Sequence, residues 1–211
     1  MLIVPKNPSF DFERDLWGKG YEFVVGMDEV GRGCLCGPVV VGAVVFPQYF
    51  DQNARNVLLD GINDSKKLSP KKRALLVRVI YAHAFDWSIG VCSASDVDEY
   101  GITRAVRSAA ALAWRGLSVH PDYGLFDAGL VKTSSQAHVR HLVKGDCVSV
   151  SISAASIIAK QWRDAYMVRL SKNLRYRPYK WDENAGYGTS YHQLAIVRYG
   201  LSDLHRKTFC H

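Results

Sequence analysis

The sequence predicts an α/β or α+β fold in which a central sheet is flanked by helices. Three observations predict it: two β-branched runs early in the chain, helix-forming segments alternating with short strands after them, and no repeat or linker dividing the 211 residues. With 48% hydrophobic residues the chain can bury a proper core. One domain spanning residues 1–211 is expected, with a C-terminal helical part from about residue 170.

The elements follow in order. Tyr21 to Asp28 (YEFVVGMD) and Val39 to Phe46 (VVVGAVVF) are bracketed by glycine and proline and read as buried neighbouring strands, which puts Asp28 at a strand end. Ser69 is expected to cap a helix with Pro70 at its first position, followed at helical spacing by Leu75, Leu76, Val79, Ile80 and His83. Trp87 to Cys92 reads as a strand, and Ser95 or Asp96 as a cap leading into the alanine-rich helix Ile102 to Leu117. Pro121 to Asp127 (PDYGLFD) is a short strand ending on a carboxylate, and Val139 to Val143 a weaker one leading to Lys144-Gly145-Asp146. Ser151 to Leu170 reads as a long helix with Ile152, Ile157, Ile158 and Trp162 inward, and Thr189 to Tyr199 as a last helix.

The 27 Lys and Arg against 20 Asp and Glu give a formal charge of +7, which favours an anionic partner. The longest apolar stretch, Gly37 to Pro47, is too short to span a bilayer, so nucleic acid is preferred over a membrane. The N-terminus (MLIVPKNPSF) lacks the pattern of a secretory signal, and a cytoplasmic location is expected. Five cysteines at irregular spacing suit free thiols in a reducing compartment; Cys34 and Cys36 lack the two-residue gap of zinc knuckles and read as small buried residues.

Phosphodiester hydrolysis without a covalent nucleophile needs an activated water and compensation of charge on phosphorus, which two divalent metals about 4 Å apart can supply. Magnesium and manganese take oxygen ligands, so several carboxylates should converge from strand ends or helix starts. Asp28, Glu29, Asp127 and Asp146 are placed that way, although any one of them alone reads as a cap or a solvated loop residue. Successive strand residues point to opposite faces, so the adjacent pair Asp28-Glu29 needs a bend to act together, which the glycines at 31 and 33 permit. Gly31-Arg32-Gly33 also leaves backbone N–H groups open to close approach, beside a guanidinium that can donate to phosphate or hydroxyl.

The segment Gly26-Met-Asp-Glu-Val-Gly-Arg-Gly-Cys-Leu-Cys-Gly-Pro38 resembles the signature of the ribonuclease HII (type 2 ribonuclease H) family. Three further blocks stand in that family's order: Asp64-Ser-Lys-Lys-Leu-Ser69; Lys144-Gly-Asp146 with Ser153-Ala-Ala-Ser-Ile-Ile-Ala-Lys160 and Arg163-Asp164; and Gly186-Tyr-Gly-Thr189 with His205-Arg206 beyond. The resemblance runs from about Tyr21 to Phe209 and implies a ribonuclease H-like fold with a central mixed sheet. It implies that Asp28, Glu29, Asp127 and Asp146 are metal-binding catalytic carboxylates for two Mg2+ or Mn2+ ions. It further implies that main-chain groups of Gly31, Arg32 and Gly33 contact the ribose 2′-hydroxyl, and that Tyr187 stacks on the neighbouring deoxyribose. Ser65, Lys66 and Lys67 would bind the phosphate backbone, and Lys160, Arg163 and Arg169 would extend that basic surface. Asp164 is expected to support the site or the fold rather than touch metal, and His205 to be structural or phosphate-side.

The implied activity is hydrolysis of the RNA strand of RNA/DNA hybrids, with nicking 5′ of ribonucleotides embedded in duplex DNA, by a monomer. Two alternatives stand beside it: a type 3 ribonuclease H, which handles a single ribonucleotide poorly, and a catalytically silent duplex-binding protein. Two departures from the family pattern bear on the site. The chain has Asp127-Ala128-Gly129 where the family has Asp-Gly, and Gly101 where an Asn commonly precedes the Ile of the alanine-rich helix.

Overall fold

A computed structural model describes residues 7–49, 58–62, 68–130 and 138–210. Five strands form one mixed sheet in the order β3-β2-β1-β4-β5: β1 (Val24–Val30), β2 (Val39–Val45), β3 (Asp86–Cys92), β4 (Tyr123–Asp127) and β5 (Val139–Leu142). β1, β2 and β3 pair antiparallel, whereas β1 pairs parallel with β4, and β4 with β5. This is a mixed sheet flanked by helices, of the kind the family resemblance implies.

Helices cover both faces. The alanine-rich α4 (Ile102–Arg115) packs Ala105, Val106, Ala109, Ala110 and Ala113 against Val25, Met27, Val39, Val41 and Ala43 of the strands. On the opposite face α2 (Pro70–His83) and the long α5 (Val150–Ser171) close a second core around Ile80, Ala154, Ile157 and Ile158. Two glycines set how closely α5 lies on the sheet. A Cβ at Gly26 of β1 would strike the Ser151 backbone, and one at Gly42 of β2 the Ala155 carbonyl, so any side chain there would lift the helix away. Beyond the sheet, α6 (Trp181–Asn184) and α7 (Ser190–Tyr199) form a C-terminal cluster in which Cys36, Met167, Tyr176, Tyr179 and Trp181 are buried together.

Several elements differ from the sequence expectation. β1 begins at Val24 and runs to Val30, because β2 supplies partners as far as Val40 and Val41; Asp28 and Glu29 therefore lie within the strand, not at its end. A short helix, α3 (Ala94–Tyr100), precedes α4, and its cap is Ser93, not Ser95 or Asp96. The Ser93 Oγ accepts the Asp96 N–H at 3.1 Å while the Asp96 carboxylate accepts the Ser93 N–H at 2.7 Å, a reciprocal box in which Asp96 is the inner partner. An N-terminal helix, α1 (Asp11–Gly18), was not expected at all. Its buried Glu13 accepts from the Ser149 and Ser151 hydroxyls, both at 2.6 Å, and so ties α1 to the start of α5.

Candidate active site

The parallel pairing of β1 with β4 brings their C-terminal ends to the same edge. Their register ends at Met27 opposite Phe126, so the next residues along, Asp28 and Asp127, are neighbours where β4 stops. Past that point Glu29 has no β4 backbone beside it, and its carboxylate reaches over the strand end. One oxygen each from Asp28, Glu29 and Asp127 lies within 4.8 Å of the others, without the bend after Val30 having to turn the pair to one face. Asp146 is buried on the turn Gly145–Cys147 between β5 and α5, and its charge acts on Asp28. It stands beside the converging three rather than among them.

Asp28 and Asp127 are held locally. Asp28 accepts the Glu29 N–H at 2.8 Å and a hydrogen bond from the Ser156 side chain of α5, which the close seating over Gly42 brings down to it. Asp127 accepts the Gly145 N–H at 2.8 Å and the Gly129 N–H at 3.3 Å. Ala128 donates its N–H to Leu142 at 3.1 Å, so the departure from Asp-Gly leaves the strand end anchored to β5. Gly129 then lies against the Glu29 carboxylate, where a Cβ would come within 2.5 Å of Oε1.

The cluster's electrostatics suit a divalent cation. Burial, then the charges of Glu29, Asp127 and Asp146, push Asp28 well above the usual carboxylate range. Burial and the Asp127 charge raise Glu29 as well. Among the described residues, the buried Oε2 of Glu29 has no hydrogen-bond partner. A hard cation on this all-oxygen donor set would satisfy that atom and relieve the mutual repulsion, so the residues present fit such an ion.

The Gly31–Gly33 loop adjoins the carboxylates through Arg32, whose Nη1 donates to the Gly129 carbonyl at 2.8 Å and sits 3.6 Å from Glu29 Oε1. Gly31 takes φ +85°, and the Cys34 N–H closes the turn onto the Gly31 carbonyl at 3.3 Å. The Leu35 N–H donates to the Gly186 carbonyl at 2.9 Å, which joins this loop to the segment bearing Tyr187. Tyr187 is 38% exposed. Lys160 Nζ lies 5.1 Å from the ring centre, and burial pushes the phenol up to about 12.

Other expected residues fall elsewhere. Asp164 pairs with Arg73 at 2.9 Å and Lys160 at 2.8 Å. Arg163 is not on the basic surface: it is fully buried, because three backbone carbonyls, those of Cys36, Pro38 and Ala185, take its donors. Ser65, Lys66 and Lys67 lie outside the described residues.

A second group, Cys36, His192 and His205, also has metal-ligand character and is buried, but the ring nitrogens of its two histidines are committed to hydrogen bonds. The Ser202 N–H is a fixed donor to His205 Nδ1 at 2.9 Å, so His205 carries its proton on Nε2 and donates it to His192 Nε2 at 3.1 Å. His192 in turn donates from Nδ1 to the Tyr187 carbonyl at 2.9 Å and accepts the Trp181 N–H at 3.1 Å. The histidines therefore form a hydrogen-bonded strut under the Tyr187 segment. Their separation of 13 residues has no signature in the sequence.

A family model for ribonuclease HII matches residues 25–211. This chain belongs to the ribonuclease HII family. The ribonuclease HII of a Geobacillus species is 43% identical over 198 residues, which cover 94% of this chain and 68% of that protein. That of Chlamydia caviae is 42% identical over 200 residues, 94% of this chain and 89% of the relative. Among solved structures, the ribonuclease H2 of Pyrococcus horikoshii superposes with a TM-score of 0.68 at 26% identity, covering 88% of this chain and 93% of its own. The chain is accordingly an enzyme, a ribonuclease H, and of type 2 rather than type 3; the catalytically silent alternative falls with the same finding. No helix among the described residues is long and apolar enough to cross a membrane.

Proposed function

We propose that this ribonuclease H hydrolyses the RNA strand of RNA/DNA hybrids and nicks duplex DNA on the 5′ side of embedded ribonucleotides, leaving 3′-hydroxyl and 5′-phosphate ends. The observation that carries the reading is the convergence of Asp28, Glu29 and Asp127 within 4.8 Å, immediately beside the Gly31–Gly33 turn. Asp28, Glu29, Asp127 and Asp146 are the ligands. Two Mg2+ or Mn2+ ions, when bound there, supply an activated water and offset charge at phosphorus.

The chain's own groups do the selecting. Backbone groups of Gly31, Arg32 and Gly33 address the 2′-hydroxyl, the one group that distinguishes ribose from deoxyribose at the cut. Arg32, held by Gly129, keeps its remaining donors for phosphate. Tyr187 offers its partly exposed ring to the adjoining deoxyribose, with Lys160, itself paired with Asp164, beside it. Ser65, Lys66 and Lys67 contact the backbone without reading sequence.

The test is a DNA duplex carrying one ribonucleotide, incubated with the protein and each metal in turn. A single nick 5′ of the ribonucleotide is expected; absence of cleavage while an all-DNA control is bound normally overturns the reading.

A further inference from the structure

Two arginines, Arg163 on α5 and Arg206 near the C-terminus, have side chains that are 0% exposed. Neither meets a carboxylate at ion-pair distance among the described residues. Instead, Arg206 spends its donors on backbone carbonyls of the segment that follows β1, and Arg163 divides its own between that segment and Ala185. Arg206 gives Nε and Nη2 to the Gly37 carbonyl, at 3.1 and 2.9 Å, and Nη1 to the Arg32 carbonyl at 2.9 Å. Arg163 gives Nε to Pro38 at 2.9 Å, Nη2 to Cys36 at 3.0 Å and Nη1 to Ala185 at 2.7 Å. Arg163 also fills the space under Gly31, where a Cβ would collide with its Nε.

Burying two cations side by side is costly, and a pair kept beneath one loop implies that the loop's shape matters. Burial draws Arg206 down to about 10, which still leaves it charged at neutral pH. The bond to Arg32 has a direct geometric consequence. In a trans peptide the carbonyl of one residue and the N–H of the next point in opposite directions, and no peptide among the described residues is cis. Holding the Arg32 carbonyl inward therefore turns the Gly33 N–H outward. Gly33 is exposed, with nothing within 4 Å of where a Cβ would stand.

We propose that Arg206 is a positioning residue for ribose selection: by anchoring the Arg32 carbonyl from beneath, it aims the Gly33 N–H at the 2′-hydroxyl of the scissile nucleotide. This rests on the reading that the Gly31–Gly33 loop meets that hydroxyl. Arg163 performs the companion task, tying the same segment through Ala185 to the Tyr187 side. The loop and the aromatic platform are thus set against one another by guanidinium clamps that never touch substrate.

The experiment compares wild type, Arg206→Met and Arg206→Lys on the one-ribonucleotide duplex, with affinity for the all-DNA duplex of the same sequence and for Mn2+ alone measured in parallel. Arg206→Met is expected to lower ribonucleotide kcat/KM at least tenfold, chiefly through kcat, while both affinities stay within twofold of wild type. Arg206→Lys, which retains a donor for one carbonyl, should recover part of the loss, and it carries the test alone if the methionine variant does not fold. Wild-type cleavage by the variants, or a loss that tracks DNA affinity, overturns the positioning role. A wild-type enzyme that does not nick this duplex overturns the underlying reading instead.

Discussion

Gly145 donates its backbone N–H to Asp127 Oδ1 at 2.8 Å, so the turn that carries Asp146 is pinned to the strand end that carries Asp127. Two carboxylates 19 positions apart are thereby set by one bond. Asn at 127 keeps an oxygen for Gly145 but loses the charge, whereas Ala loses both. Asp127→Asn and Asp127→Ala should each lower turnover more than about a hundredfold, beyond what removal of a ligand's supporting partner costs. Only the alanine variant orphans the Gly145 N–H, at about 1 kcal/mol or more. Its melting temperature should therefore lie about 2–4 °C below that of the asparagine variant, read by calorimetry in the absence of metal.

The raised Asp28 and Glu29 carboxyls make metal-free stability depend on pH. For an acid whose folded-state pKa is raised, the stabilising contribution is complete below its unfolded value near 4 and is lost as pH rises through the folded value. The metal-free protein therefore loses stability as pH rises, because ionising Asp28 or Glu29 is opposed first by burial and then by the neighbouring carboxylates. Asp28→Asn should raise its melting temperature while abolishing turnover. Saturating Mn2+ should stabilise the wild type by about 3 kcal/mol at a hundredfold excess over Kd, with a smaller shift at pH 5 than at pH 8. A melting temperature unchanged by Asp28→Asn would contradict the electrostatic account.

The buried histidine strut acts in the other direction. Burial, then the neighbouring His192, draws His205 down to about 4. Its unfolded value is near 6.5, so stability is complete above that pH and declines as the pH falls toward 4, by about 2 kcal/mol between 6.5 and 5. Urea unfolding of wild type and His205→Gln across this range should show a shallower pH dependence in the variant, even where its overall stability is lower. Identical slopes would mean that another group carries the acid sensitivity.

What was legible in the sequence was contiguous, and what was missed was tertiary. Asp28-Glu29 and Gly31-Arg32-Gly33 announce themselves because the reactive groups share one strand and its exit turn. Asp127 is readable because it ends the short strand PDYGLFD, and Asp146 because a weaker strand, Val139 to Val143, leads into Lys144-Gly145-Asp146. Arg163 was misread as surface because arginine on a helix usually faces water, and its partners are backbone carbonyls more than a hundred residues away in Cys36 and Pro38, with no residue-type signature. Glu13 and the short α1 were missed for a related reason: a charge is not expected inside, and its serine partners lie 136 and 138 positions on. That the strands bearing Asp28 and Gly42 are neighbours is legible in the sequence, but the register that pairs these two residues, and the delivery of Ser156 by α5 to the carboxylate, need the assembled fold.

Tyr187 separates the junction-sensing part of the proposed function from the hydrolytic part. Its ring is half-supported by Lys160 and lies in the segment joined to the Gly31–Gly33 loop through Leu35 and Gly186. If the ring packs on the deoxyribose that follows a lone ribonucleotide, Tyr187→Ala removes that apolar contact, at roughly 1–2 kcal/mol. Cleavage at that junction should then fall by about five- to thirtyfold. Tyr187→Phe keeps the ring and should lose far less. A duplex with four consecutive ribonucleotides offers cuts at which the following sugar is itself a ribose, so Tyr187→Ala should affect it less than the single-ribonucleotide duplex. Steady-state kcat/KM on the two duplexes decides the matter: equal losses on both would assign Tyr187 to general duplex binding and remove it from the sensing of the RNA-to-DNA junction.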